Sequence, residues 1–163
     1  MNDFDPTLDL VVERVIRAPR DRVWAAWTEP ANLERWWLPA PTACRVTRLD
    51  LHAGGGFVTQ MSEDGLEFVP HLDACFLDVQ HGERIVFTNA IDSSWRPTTP
   101  APIAMTATTT FADHPDGTQY RAVVRHADPS ARALHEELGF HDGWGTVTAQ
   151  LAAVAEASPV PRA

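Results

Sequence analysis

The chain has 163 residues, 44% of them hydrophobic, which suits one domain with a sizeable core and excludes a disordered chain. Its 22 acidic and 13 basic residues leave a net charge of −9 with no basic cluster, which argues against a nucleic-acid partner. No apolar run approaches the ~20 residues of a membrane helix, and the opening Met-Asn-Asp-Phe-Asp has neither a basic region nor an apolar signal core, so the default expectation is a soluble cytoplasmic protein with no membrane partner.

Residues 1–7 read as a loose terminus, and Leu8 to Arg17, rich in Val and Ile, as a strand. Ala18-Pro19-Arg20-Asp21 starts a helix, because proline is tolerated in a first turn and Asp21 suits the positive helix end. Val23, Trp24 and Trp27 form its apolar face. Glu29-Pro30 breaks it, and a second short helix, Ala31 to Trp37, ends at Pro39 and Pro41. Ala43 to His52 is a strand, Gly54-Gly55-Gly56 turns the chain, and Phe57 to Met61 returns. Asp64-Gly65 signals a hairpin into a long run, Leu66 to Val79, with a bend expected at Pro70. A His81-Gly82 turn leads to Arg84–Ala90. Ser93 to Pro102 holds three prolines and Trp95 and reads as a loop. Ile103–Ala112 and Thr118–Ala127 pair across Pro115-Asp116-Gly117. Asp128-Pro129-Ser130 opens one long helix reaching about Glu156, and Ser158–Ala163 is a frayed end.

In that helix Phe140, Trp144, Val147, Leu151 and Val154 recur at four, three, four and three residues, an apolar stripe along one face. The large partner available to bury it is a sheet built from the preceding strands. Consecutive strands with short turns imply antiparallel hairpins. The fold class is therefore α+β: a curved antiparallel sheet of about seven strands around a long C-terminal helix, with two short helices after the first strand. A helix laid on a curved sheet leaves room for a cavity.

The motifs for common chemistries fail on spacing. Gly54-Gly55-Gly56 precedes a strand pattern, whereas a phosphate loop opens a helix, so the run reads as a turn. His135 and His141 are six apart, about 240° around a continuous helix, so their rings diverge and no metal site is expected. No serine sits in Gly-x-Ser-x-Gly. Cys44 and Cys75 read as small buried apolar side chains rather than a disulfide framework. No cofactor is expected.

What remains is a pocket. On one face of Thr118–Ala127 stand Tyr120, Ala122, Val124 and His126, and Met105, Ala107, Thr109 and Phe111 alternate likewise on the preceding strand. Small residues there leave space that leucines would fill. His126 is either satisfied by a core hydrogen bond or a polar anchor in the chamber. His71 lies beside Pro70, two residues before Asp73. If both point inward they form an acid–base pair, and if both point outward they are surface groups. Arg14 is either an inward cation paired with Asp73 or Asp78, or a snorkelling surface side chain. Trp36, Trp37 and Trp95 rim a pocket mouth or pack the short helices down.

Several pieces carry a family resemblance: Arg14 to Trp24 (RVIRAPRDRVW), Thr28 to Trp37 (TEPANLERWW), Gly54 to Phe57 (GGGF), Glu83 to Thr88 (ERIVFT), Gly117-Thr118 before an alternating strand, and Gly143-Trp144 in the final helix. In this order they resemble the START-like, or helix-grip, superfamily (SRPBCC), and more narrowly the family named after the activator of the heat-shock-protein-90 ATPase. The resemblance covers nearly the whole chain and implies one START-like domain over 1–163, with an ordered core of about 8–157. It also implies a cavity between sheet and helix that holds apolar or amphipathic small molecules.

Three functional readings follow. The first is binding of a small apolar or aromatic ligand, with Phe57, Trp95, Met105, Tyr120, Phe140 and Trp144 as walls and His71 and His126 as polar anchors. The second is a cyclase- or hydrolase-like enzyme in the same chamber, with His71 or His126 as general acid–base and Asp73 orienting it. The third, ranked last, is a chaperone-interacting module. A two-fold homodimer is the default assembly.

Overall fold

A computed structural model describes residues 4–157. The expected frayed end, Ser158–Ala163, lies outside the described residues. The elements are β1 (Asp9–Ile16), α1 (Arg20–Thr28), α2 (Pro30–Leu33), β2 (Ala43–Leu49), β3 (Gly56–Ser62), β4 (Val69–Gln80), β5 (Arg84–Thr88), β6 (Thr106–His114), β7 (Gly117–Arg125), α3 (Pro129–Glu137) and α4 (Phe140–Glu156). The seven strands form one sheet in the order β1-β7-β6-β5-β4-β3-β2, every neighbouring pair antiparallel. Only β1 departs from a simple meander. It pairs with β7, Asp9 opposite Arg125 and Ile16 opposite Thr118.

The sheet curves where extra residues enter the ladders. Thr47 on β2, His71 on β4 and Leu77 on β4 each stand unpaired between registered neighbours. Such bulges bend a strand and strengthen its twist. The Gly54–Gly56 segment is the expected turn, joining β2 to β3. A Cβ on Gly55 would fall 2.0 Å from the Asp50 carbonyl oxygen, so glycine there answers a close backbone approach.

Two bodies cover the concave face. Under α1 and α2 an aromatic cluster fills the space: Phe57 stacks on Phe76 at 5.2 Å, and Trp27, Trp37 and Phe87 close around Phe57. Such pairs add about 0.5–1.5 kcal/mol each beyond the area they bury. The C-terminal half of α4 lays Leu151, Ala152 and Ala155, all buried, toward β1 and α1.

Four expectations need correction. The second short helix stops at Leu33, and Trp36 and Trp37 follow it in turns, where the Trp36 indole donates to the Ala26 carbonyl at 2.9 Å. Strand β4 begins at Val69, leaving Leu66 exposed in the turn before it. Ile103–Met105 is loop, held by the Asn89 side chain, which accepts from Met105 N and donates to Ile103 O. The final helix is two helices. Gly139, with φ of 100°, adopts a left-handed conformation between α3 and α4 that favours glycine.

Candidate functional site

Beside the aromatic cluster the concave face stays open. A cleft of about 450 Å³ lies between the N-terminal half of α4 and the sheet, lined among others by Trp37, His71, Met105, His135, Phe140 and Trp144. Three segments beyond α4 close it. Gln150 of α4 fixes the first, donating to the carbonyls of Trp36 and Leu38 and accepting from Ala40 N, which sets Trp37, Leu38 and Pro39 as a wall. The Asn89 clamp fixes the second, Ala101 to Met105. The third is the end of α3, where His135 and Leu138 face the cleft because the chain turns at Gly139. On α4, Gly143 belongs to the lining, and a Cβ built there meets nothing within 4 Å. A glycine inside a helix costs about 1 kcal/mol against alanine. Here its missing side chain is space in the cleft.

The lining is apolar apart from His71, Asn89, His135 and the Trp37 indole, and it contains no Asp, Glu, Lys or Arg. His71 is the unpaired bulge residue of β4, and the bulge turns it toward the inward-facing Thr59. Its Nδ1 lies 2.9 Å from Thr59 Oγ1. The side chain opens onto the cleft, yet the protein around the ring desolvates it and pulls the pKa below the ordinary histidine value. His135 Nδ1 sits 2.8 Å from His126 Nε2, and His126 Nδ1 sits 2.8 Å from the Leu8 carbonyl oxygen. Burial, and then the neighbouring His126, push the His135 pKa down to about 4. The His135 ring meets Phe140 edge-on at 5.1 Å, and Phe140 stacks on Trp144 at 5.3 Å. Trp37 Nε1 is shut off from solvent and finds no acceptor among the described residues.

The expected site residues divide accordingly. His71, Met105, Phe140 and Trp144 line the cleft. Phe57 does not, because it is fully buried in the aromatic cluster. Tyr120 faces inward as its alternation implies, but under α1, where its hydroxyl accepts from Trp27 Nε1 at 3.2 Å and burial pushes its pKa up to about 12. Trp95 is 70% exposed and lies on Gly54, donating to the Gly54 carbonyl at 2.6 Å, so it is not at the mouth. His126 is buried one layer behind the lining and reaches the cleft only through His135. Asp73 does not join His71: the bulge breaks the alternation, and Asp73 points outward to accept from Ser93 N. Arg14 is exposed, and Asp78 pairs with Arg84 at 2.7 Å instead. Both cysteines are free; burial, with the Glu34 charge adding to it, pushes the half-buried Cys44 thiol up to about 12.

Sequence reasoning missed His135, weighed only with His141 as a metal pair, along with Asn89 and Gly143. His126 and His135 lie close in sequence, and Leu138-Gly139 is a helix-stop signal. Together they marked a chain turning back on itself.

An antiparallel sheet curved around a C-terminal helix, with two short helices after its first strand, is the helix-grip architecture. The model of the family described as activator of Hsp90 ATPase homolog 1-like protein matches residues 17–156, and the chain belongs to that family. Protein NE0264 from Nitrosomonas europaea is similar in structure with a TM-score of 0.81 and 38% identity, over 93% of this chain and 96% of that one. Protein CV1439 from Chromobacterium violaceum follows at 0.70 and 25%, over 93% and 99%. An AHSA1-like protein from Aeromonas hydrophila shares the fold at 0.67 and 20%, over 95% and 100%. No curated protein matches. Among the described residues no helix is long and apolar enough to cross a membrane.

Proposed function

We propose that the chain binds a small apolar or aromatic molecule in the cleft between the sheet and the N-terminal half of α4. The supporting observation is the cleft itself: about 450 Å³, within the ordinary range of ligand sites, and walled by apolar side chains with few polar groups. Phe140, Trp144 and Met105 supply the aromatic and aliphatic contact. The cyclase or hydrolase reading is weaker, because Asp73 faces away from His71 and orients neither cleft histidine. The chaperone-interacting reading stays behind it, since it gives the cleft no role.

Gly143 offers a direct test, because a leucine there extends into open space. Gly143→Leu is expected to weaken binding of the neutral fluorescent probe N-phenyl-1-naphthylamine about tenfold or more. It should also leave the unfolding temperature unchanged or raised, since leucine is the better helix former by about 0.5–1 kcal/mol. Undiminished probe binding in a folded variant would place the ligand elsewhere.

A further inference from the structure

The cleft histidines have their protons placed for them. The Leu8 carbonyl only accepts, so His126 Nδ1 must carry a proton to make its 2.8 Å contact. A neutral His126 then has a bare Nε2, and the 2.8 Å contact with His135 is made by a proton on His135 Nδ1. That leaves His135 Nε2 as a lone pair. It is neither among the buried unpartnered atoms nor bonded among the described residues, and the ring it belongs to lines the cleft. At His71 the logic runs the other way. Thr59 is fully buried, and its hydroxyl has His71 Nδ1 as its one partner among the described residues. A buried hydroxyl that donates to nothing is costly, so the Thr59 O–H donates to Nδ1. A neutral His71 therefore carries its proton on Nε2. Asn89 adds little, because Ile103 and Met105 occupy its amide.

We propose that the cleft has two fixed and opposite poles, a hydrogen-bond acceptor at His135 Nε2 and a donor at His71 Nε2, and that its ligand is an uncharged apolar molecule with a hydroxyl toward α3 and a carbonyl toward β4. This rests on the cleft being a binding site. The apolar side chains between the poles, Met105, Phe140 and Trp144 among them, fit the apolar body of such a ligand. The lack of charged lining residues fits it too, since an ionised carboxylate would enter without a cation to meet it. His126 is a positioning residue: it sets the polarity of His135 without touching the ligand.

Two measurements on the full chain at pH 8 test the proposal. Long-range proton–nitrogen correlation spectra of the ¹⁵N-labelled protein report each tautomer. The expected result is a proton on Nδ1 of His135 and on Nε2 of His71, and the reverse at either ring overturns the assignment of that pole. Displacement of N-phenyl-1-naphthylamine then compares matched compounds. 2-Naphthol is expected to bind about tenfold tighter than 2-methoxynaphthalene, which cannot donate, with the preference lost in His135→Phe. 2-Acetylnaphthalene is expected to exceed 2-ethylnaphthalene similarly, with that preference lost in His71→Phe. Equal binding within both pairs overturns the poles and leaves the apolar binding site standing. Failure of the probe and of all four compounds to bind overturns the site itself, while the tautomers still decide whether the polarity exists.

Discussion

His135 is where a single side chain carries a measurable consequence. Its folded pKa is pushed down to about 4 from an ordinary 6.5. Below 6.5 the unfolded chain therefore takes up a proton that the folded chain refuses. The stability this depression brings is complete above that value and is lost as pH falls toward about 4. His71 shifts in the same direction, by burial. Hydrogen bonds hold Asp50, Asp64, Asp92 and Glu136 below the usual carboxylate range, so their effect comes at lower pH. Urea midpoints for the wild type are expected to drop between pH 7 and pH 5, and His135→Gln should flatten that slope. An unchanged slope would mean that His135 is not the group responsible. The inward face of His126 was legible from strict alternation carried one residue past β7. Its partner was not, because alternation says nothing about a residue in a different element. His71 was legible only as ambiguous: the proline beside it announced a disturbance, and the bulge that resolved it is a property of the β3–β4 pairing.

At the scale of elements, the break at Gly139 matters most. The apolar stripe from Phe140 to Val154 was visible in the spacing and is largely buried or half-buried, the outcome a 3.6-residue period implies. The turn before it was marked only by the Leu138-Gly139 stop, because α3 buries no side chain fully and adds no core stripe of its own to set the two helices apart. Its own start was written plainly, with Asp128 accepting from Ala131 N at 2.8 Å as an N-cap. Gly139→Ala is expected to cost about 1 kcal/mol or more in urea unfolding. The cost is backbone strain alone, since a Cβ there meets no atom within 4 Å. A neutral result would mean that the α3–α4 junction relaxes into another conformation.

For the molecule as a whole, the fold was readable because element order and turn signals constrain topology tightly, whereas the place of the cavity was not. Alternation says that Phe57 and Tyr120 face inward. It does not say whether the inside at that point is full, and six aromatic side chains from α1, the segment after α2, β3, β4 and β5 fill it. Phe57→Ala is accordingly expected to remove about 3–5 kcal/mol, a large part of the roughly 5–15 kcal/mol typical of a domain. A large fall in unfolding temperature would confirm it, against little or none for Gly143→Leu in the cleft. A small fall for Phe57→Ala would mean that the cluster collapses readily into the gap.

The seam between β1 and β7 has a consequence for how the protein is made. Asp9–Ile16 is synthesised before the other six strands of the sheet, yet the one strand it pairs with among the described residues, Gly117–Arg125, is synthesised last of the seven. Until then Leu10, Val12 and Ile16 have no ladder to join, and the hairpins β2 to β6 can assemble without them. The nascent polypeptide thus holds a sticky apolar segment in waiting while β2 to β6 are made, and the arrival of β7 withdraws it from competing contacts.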